Sequence, residues 1–173
     1  MQEKTDSEPA SPRHATTVDR QSGRELVVTR TFDAPARRVF EAWTRPELIM
    51  RWWVPESFGF AFLSCETDVR NGGSYRFVFG MPGSDQPTAF FGRYIEAMPP
   101  ARLVWTNEEG DSGAVTTVTF EEKDGKTLLT LRDRYPSEEA LDEAIASGST
   151  GAWSEQFAHL DPLLASLGTA ATQ

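Results

Sequence analysis

The chain contains one cysteine, Cys65, and two histidines, His14 and His159, among 173 residues. A lone cysteine excludes an intrachain disulfide. Without a second thiol or a close histidine pair, no zinc ligand set can be assembled either, so no metal and no cofactor are expected. Nucleophilic catalysis is equally poorly supplied, because it needs a nucleophile beside a base. His14 falls in a polar N-terminal stretch. His159 shares the polar face of the last helix with Glu155, four positions before it, which reads as a surface pair. Cys65, inside a strand, reads as a small buried hydrophobe. No catalytic residue is assigned.

Long apolar runs are also missing. The longest candidate is Phe60-Ala61-Phe62-Leu63, far short of the roughly 18 to 20 residues of a membrane-spanning helix. The N-terminus lacks the basic-then-apolar pattern of a signal peptide, so a cytoplasmic location and no membrane contact are expected. Basic charge is in deficit: 17 Lys and Arg stand against 26 Asp and Glu, a net charge of -9, which disfavours nucleic acid as a partner. The excess sits in residues 108–173, where 4 basic residues face 13 acidic ones. Gly125-Lys126-Thr127 ends like a phosphate loop, but Phe120 stands where that loop needs its first glycine, so the tripeptide is a hairpin turn.

Aromatic residues are plentiful. The 11 Phe, 5 Trp and 3 Tyr can bury far more surface than a disordered chain would carry. Residues 1–22 have almost no large aliphatic side chain and read as a disordered tail, residues 23–168 as one folded domain, and residues 169–173 as a short C-terminal tail. Glu25 to Phe32 is β-branched and partly alternating, a strand that stops at Asp33-Ala34-Pro35. Val39, Phe40 and Trp43, then Leu48, Ile49, Trp52 and Trp53, give two short helical stripes.

Six further strands are predicted at 61–69, 74–79, 89–97, 102–107, 115–121 and 127–134, separated by Gly, Pro and Asn turns. Consecutive hairpins make the sheet antiparallel. Trp153, Phe157, Leu160, Leu163, Leu164 and Leu167 fall within an arc of roughly 120° on a helical wheel, so the last helix must bury one face. Pro162 is expected to kink or restart it. The order predicts an α+β domain in which about seven strands curl around a long C-terminal helix.

Phe32-Asp33-Ala34-Pro35, Val39-Phe40, Ala42-Trp43-Thr44, Pro46-Glu47 and Trp52-Trp53 resemble the opening of the family named after the activator of heat-shock-chaperone ATPase. That family lies within the START-like, birch-pollen-allergen-like superfamily. The resemblance continues through Gly72-Gly73, Gly92-Arg93-Tyr94-Ile95-Glu96, the segment from Pro99 to Thr106, and Trp153. It implies a helix-grip fold, often with a cavity between sheet and helix. The eukaryotic activators carry an additional chaperone-binding domain, so chaperone activation is not expected here.

The candidate ligand-binding residues are the rings able to face such a cavity: Trp53, Phe62, Tyr75, Phe77, Phe79, Tyr94, Trp105, Trp153 and Phe157. Phe58 and Phe60 lead into the same sheet. A tightly filled core would use the same rings. The functional reading is a space of roughly 300 to 1,000 Å3 holding an apolar or aromatic small molecule. Arg30, Arg93, Glu96 and Arg132 are the charged residues that could point inward, and Arg76 is placed outside. Alternatives are an enzyme of the cyclase, hydratase or hydrolase kind, or an interaction module, chaperone-associated or bound to a regulator, using the acidic C-terminal third as its surface. An edge strand could pair in a homodimer.

Overall fold

A computed structural model describes residues 16–54, 59–108, 113–147 and 152–171. The elements follow in the order β1 (Thr17–Arg20), β2 (Glu25–Phe32), α1 (Ala36–Thr44), α2 (Pro46–Trp52), β3 (Ala61–Thr67), β4 (Ser74–Gly80), β5 (Thr88–Met98), β6 (Arg102–Thr106), β7 (Val115–Lys123), β8 (Lys126–Arg134), α3 (Glu138–Ala146) and α4 (Trp153–Ala171). The eight strands form one antiparallel sheet in the order β1-β2-β8-β7-β6-β5-β4-β3. The helix-grip architecture read from the sequence is the architecture observed.

Two expectations are corrected. The sheet has eight strands, because Thr17–Arg20, read as part of a disordered tail, pairs with β2 from Thr17 opposite Thr29 to Arg20 opposite Leu26. All four β1 side chains are exposed, so the strand carries no apolar pattern; main-chain pairing with β2 holds it, helped by a Thr17–Thr29 hydroxyl contact and an Arg20–Asp142 ion pair at 2.7 Å. At the other end α4 runs to Ala171, through most of the expected tail. Residues 1–15 and 172–173 lie outside the described residues.

Alternation fixes the inner face. Along β2, Leu26, Val28, Arg30 and Phe32 are buried; along β8, Thr127, Leu129, Leu131 and Asp133; along β7, Thr116, Val118 and Phe120. Each set lies opposite its neighbour in register, so one continuous surface faces the helices. Phe157, Leu160, Leu163 and Leu164 of α4 are buried against it. Helix α1 starts where Pro35 sets the turn, and the Glu122 carboxylate of β7 accepts the first helical N–H, from Ala36, at 2.9 Å. Thr127 Oγ1 donates to the Ala34 carbonyl at 2.6 Å, pinning the same entry to β8.

Pro162 lies inside α4 without ending it. Beside it, Asp161 forms an ion pair with Arg30, which is 8% exposed and also donates to Thr16 Oγ1 at 2.9 Å. Of the charged candidates only Arg30 is buried. Arg93, Arg132 and Arg76 are exposed, and the half-buried Glu96 pairs with Arg102 at 3.0 Å.

Candidate functional site

All five tryptophans of the chain meet in one cluster around Trp43. Trp43 is 3% exposed, on the buried stripe of α1, with ring centroids of Trp52 at 4.9 Å, Trp53 at 5.7 Å, Trp105 at 6.0 Å and Trp153 at 6.1 Å. Phe120 and Phe157, each at 6.2 Å, complete the shell. The Trp52 indole donates to the Ala42 carbonyl at 2.9 Å, whereas the Trp43 indole nitrogen is buried with no hydrogen-bond partner, surrounded by ring faces.

On the strand side of this cluster lies a pocket. Trp43, Trp53 and Trp105 form one wall; Tyr75 and Phe77 of β4, Phe90 and Tyr94 of β5, and Asn107 just after β6 form the rest. The free space is about 30 Å3. That holds roughly two waters and is an order of magnitude below the volume expected from the sequence, because large rings have filled the space between sheet and helix. Phe90, 36% exposed, and Trp53, half-buried, are the least enclosed rings in the wall.

Glycines let the backbone reach this arrangement. Gly72, with φ at 87°, and Gly73 turn the chain so that the Gly72 N–H meets the Tyr94 carbonyl and the Tyr94 N–H meets the Gly73 carbonyl, both at 2.8 Å. A Cβ on Gly73 would stand 1.9 Å from the Asp68 carbonyl oxygen. At Gly92 a Cβ would stand 2.1 Å from the Thr106 carbonyl oxygen, the same oxygen that accepts the Tyr75 hydroxyl at 2.7 Å. A register shift in β5 between Tyr94 and Glu96 falls beside the pocket.

The polar groups form a chain. Asn107 Nδ2 donates to the Ala114 carbonyl and to Thr116 Oγ1, each at 3.0 Å, and Thr116 Oγ1 donates to Asp133 Oδ1 at 2.5 Å. Asp133 is 9% exposed, and burial pushes its carboxyl up to about 6, opposed by the Thr116 hydrogen bond. Burial raises the Tyr94 phenol above its ordinary range, so it stays protonated, and its hydroxyl has no hydrogen-bond partner among the described residues. Burial, with Glu66 and Glu47 adding to it, pushes the Cys65 thiol up to about 12, leaving it neutral and a poor nucleophile.

Of the nine residues expected to bind a ligand, Trp53, Tyr75, Phe77, Tyr94 and Trp105 line this pocket. Phe62 and Phe79 instead pack against each other, tilted, with centroids 4.6 Å apart near the β3 edge, and Trp153 and Phe157 lie against Trp43 from α4. Phe60 approaches Phe79 at 6.2 Å, and Phe58 lies outside the described residues. The sequence reading missed Trp43, Phe90 and Asn107. Phe90 was detectable, since it pairs with Phe77 across β4 and β5. Asp133 was too: it continues the inward alternation of Leu129 and Leu131.

Residues 33–165 match the family model described as Activator of Hsp90 ATPase homolog 1-like protein. The chain belongs to the Activator of Hsp90 ATPase homolog 1-like family. Its membership supports a small ligand-binding or regulator-binding domain. Among solved structures, a protein from Rhodobacter sphaeroides is 27% identical with a TM-score of 0.81, covering 88% of this chain and 99% of its own. A Staphylococcus epidermidis protein is 25% identical with a TM-score of 0.71, covering 87% and 94%. An Aeromonas hydrophila protein described as AHSA1-like shares the fold at 17% identity and a TM-score of 0.64, covering 79% of this chain and 93% of its own. No curated protein sequence matches the chain. Among the described residues no helix is long and apolar enough to cross a membrane.

Proposed function

We propose that this member of the Activator of Hsp90 ATPase homolog 1-like family binds a small, predominantly aromatic molecule in the pocket between β4, β5, β6 and α1. The observation that carries this reading is the lining itself: among the described residues seven aromatic rings converge with one amide, and the Trp43 indole N–H among them is buried with no acceptor. A core built only for packing has no use for an unsatisfied donor beside a void. The free space of about 30 Å3 means that any molecule larger than a few atoms enters by displacing a ring. Phe90 and Trp53 are the rings free to yield.

A catalytic role has less support. Asp133 is a buried carboxyl with a raised pKa, the kind of group an acid/base enzyme uses, but Thr116 and Asn107 stand between it and the pocket. It orients other groups and does not reach a bound molecule.

Titration of the full chain with single-ring aromatics should shift Trp emission and raise Tm. Phe90→Ala, which opens the mouth, should bind the same probes more tightly. A panel of aromatic and lipid-like molecules that moves neither signal in either protein would overturn the proposal.

A further inference from the structure

The polarity of the pocket's one amide is fixed, and this determines which ligands it accepts. Asn107 Nδ2 has two hydrogens and two acceptors, the Ala114 carbonyl and Thr116 Oγ1, each at 3.0 Å. A backbone carbonyl can only accept, so the amide cannot turn over without setting Oδ1 against the Ala114 oxygen. Thr116 is held in turn, since its proton goes to Asp133 at 2.5 Å, leaving its oxygen to accept from Asn107. Asn107 therefore has no donor to spare, and Oδ1 is left to act as an acceptor.

Oδ1 is only weakly engaged. The Tyr75 hydroxyl lies 3.5 Å from it, but that proton is committed to the Thr106 carbonyl at 2.7 Å. Of the other polar groups in the lining, the Trp43 indole N–H is a buried donor without an acceptor, and Tyr94 keeps its proton and can rotate it, so it can donate or accept. Among the described residues, none that lines the pocket is basic. A carboxylate in this pocket would lose its hydration, meet the fixed Asn107 oxygen and gain no countercharge.

We propose that Asn107 makes the polar end of the pocket an acceptor site selective for an aromatic ring bearing an O–H or N–H donor, of the phenol or indole kind, over the same ring bearing a carboxylate or no donor. This rests on the binding reading above and names its ligand class.

The test uses the full chain and three matched probes, phenol, toluene and benzoate, with affinities taken from calorimetry or Trp emission. Phenol should bind roughly tenfold more tightly than toluene, the amount one net hydrogen bond supplies, and benzoate more weakly than either. In Asn107→Leu the preference for phenol over toluene should vanish while toluene binding persists. Should that variant fail to fold, the wild-type Asn107 side-chain amide resonances provide the check: they should shift with phenol and stay in place with toluene. Equal affinities for phenol and toluene, or benzoate binding best, would overturn this inference and leave the binding reading standing. Failure of all three probes to bind would end both.

Discussion

Asp133 shows how one buried residue ties stability to pH. Its carboxyl titrates at about 6 in the fold, above the ordinary 3.8, because burial penalises the charge. Between those values the folded protein holds a proton that the unfolded chain has released. Its stabilising contribution is therefore present below pH 4 and lost as pH rises through 6. Asp133→Asn keeps a carbonyl to accept from Thr116 and carries no charge. Urea unfolding should show the variant nearly equal to wild type at pH 4 and more stable by about 2 to 3 kcal/mol at pH 8. A gap that does not change with pH would contradict the assignment. Gly92 makes a steric prediction. Gly92→Ala sets a methyl against the Thr106 carbonyl, which also holds Tyr75, and should cost more than about 2 kcal/mol and shift the Tyr75 environment.

At the scale of elements, legibility followed side-chain contrast. β2 was read with its observed ends because it is rich in β-branched residues, partly alternating, and stops at Asp33-Ala34-Pro35, and the α4 stripe from Trp153 to Leu167 was read because its apolar face is continuous. β1 left no trace, since a strand with every side chain in water shows no apolar alternation to set it apart from a tail. The pocket was half legible for a related reason: parity tells which rings face inward, but inward rings either line a void or fill it according to packing distances that no sequence period encodes. Pro162 was read as a kink or a restart, and α4 runs on through it without restarting. The lost bond is the one to the Ala158 carbonyl, on an exposed part of the helix where water can replace it. Pro162→Ala should restore that bond and raise Tm by roughly 3 °C or more. A lower Tm would show that the proline's shape is needed.

Across the whole molecule, Arg30 joins segments distant in sequence: the start of the described chain through Thr16, the sheet through β2, and the last helix through Asp161. Removing only the acid leaves a guanidinium buried beside Phe32. Asp161→Ala should therefore destabilise the fold by about 2 kcal/mol or more, and the pair Arg30→Met with Asp161→Leu should recover most of the loss in thermal unfolding. The gathering of every indole around Trp43 bears on spectroscopy. Chromophores 5 to 6 Å apart behave as a coupled set, so the near-ultraviolet circular dichroism should carry exciton bands and the emission should be depolarised by transfer between rings even in a rigid protein. A single replacement at Trp43 would then alter the spectrum of the whole array, and the signals of the five single-tryptophan variants would not sum to that of the intact protein.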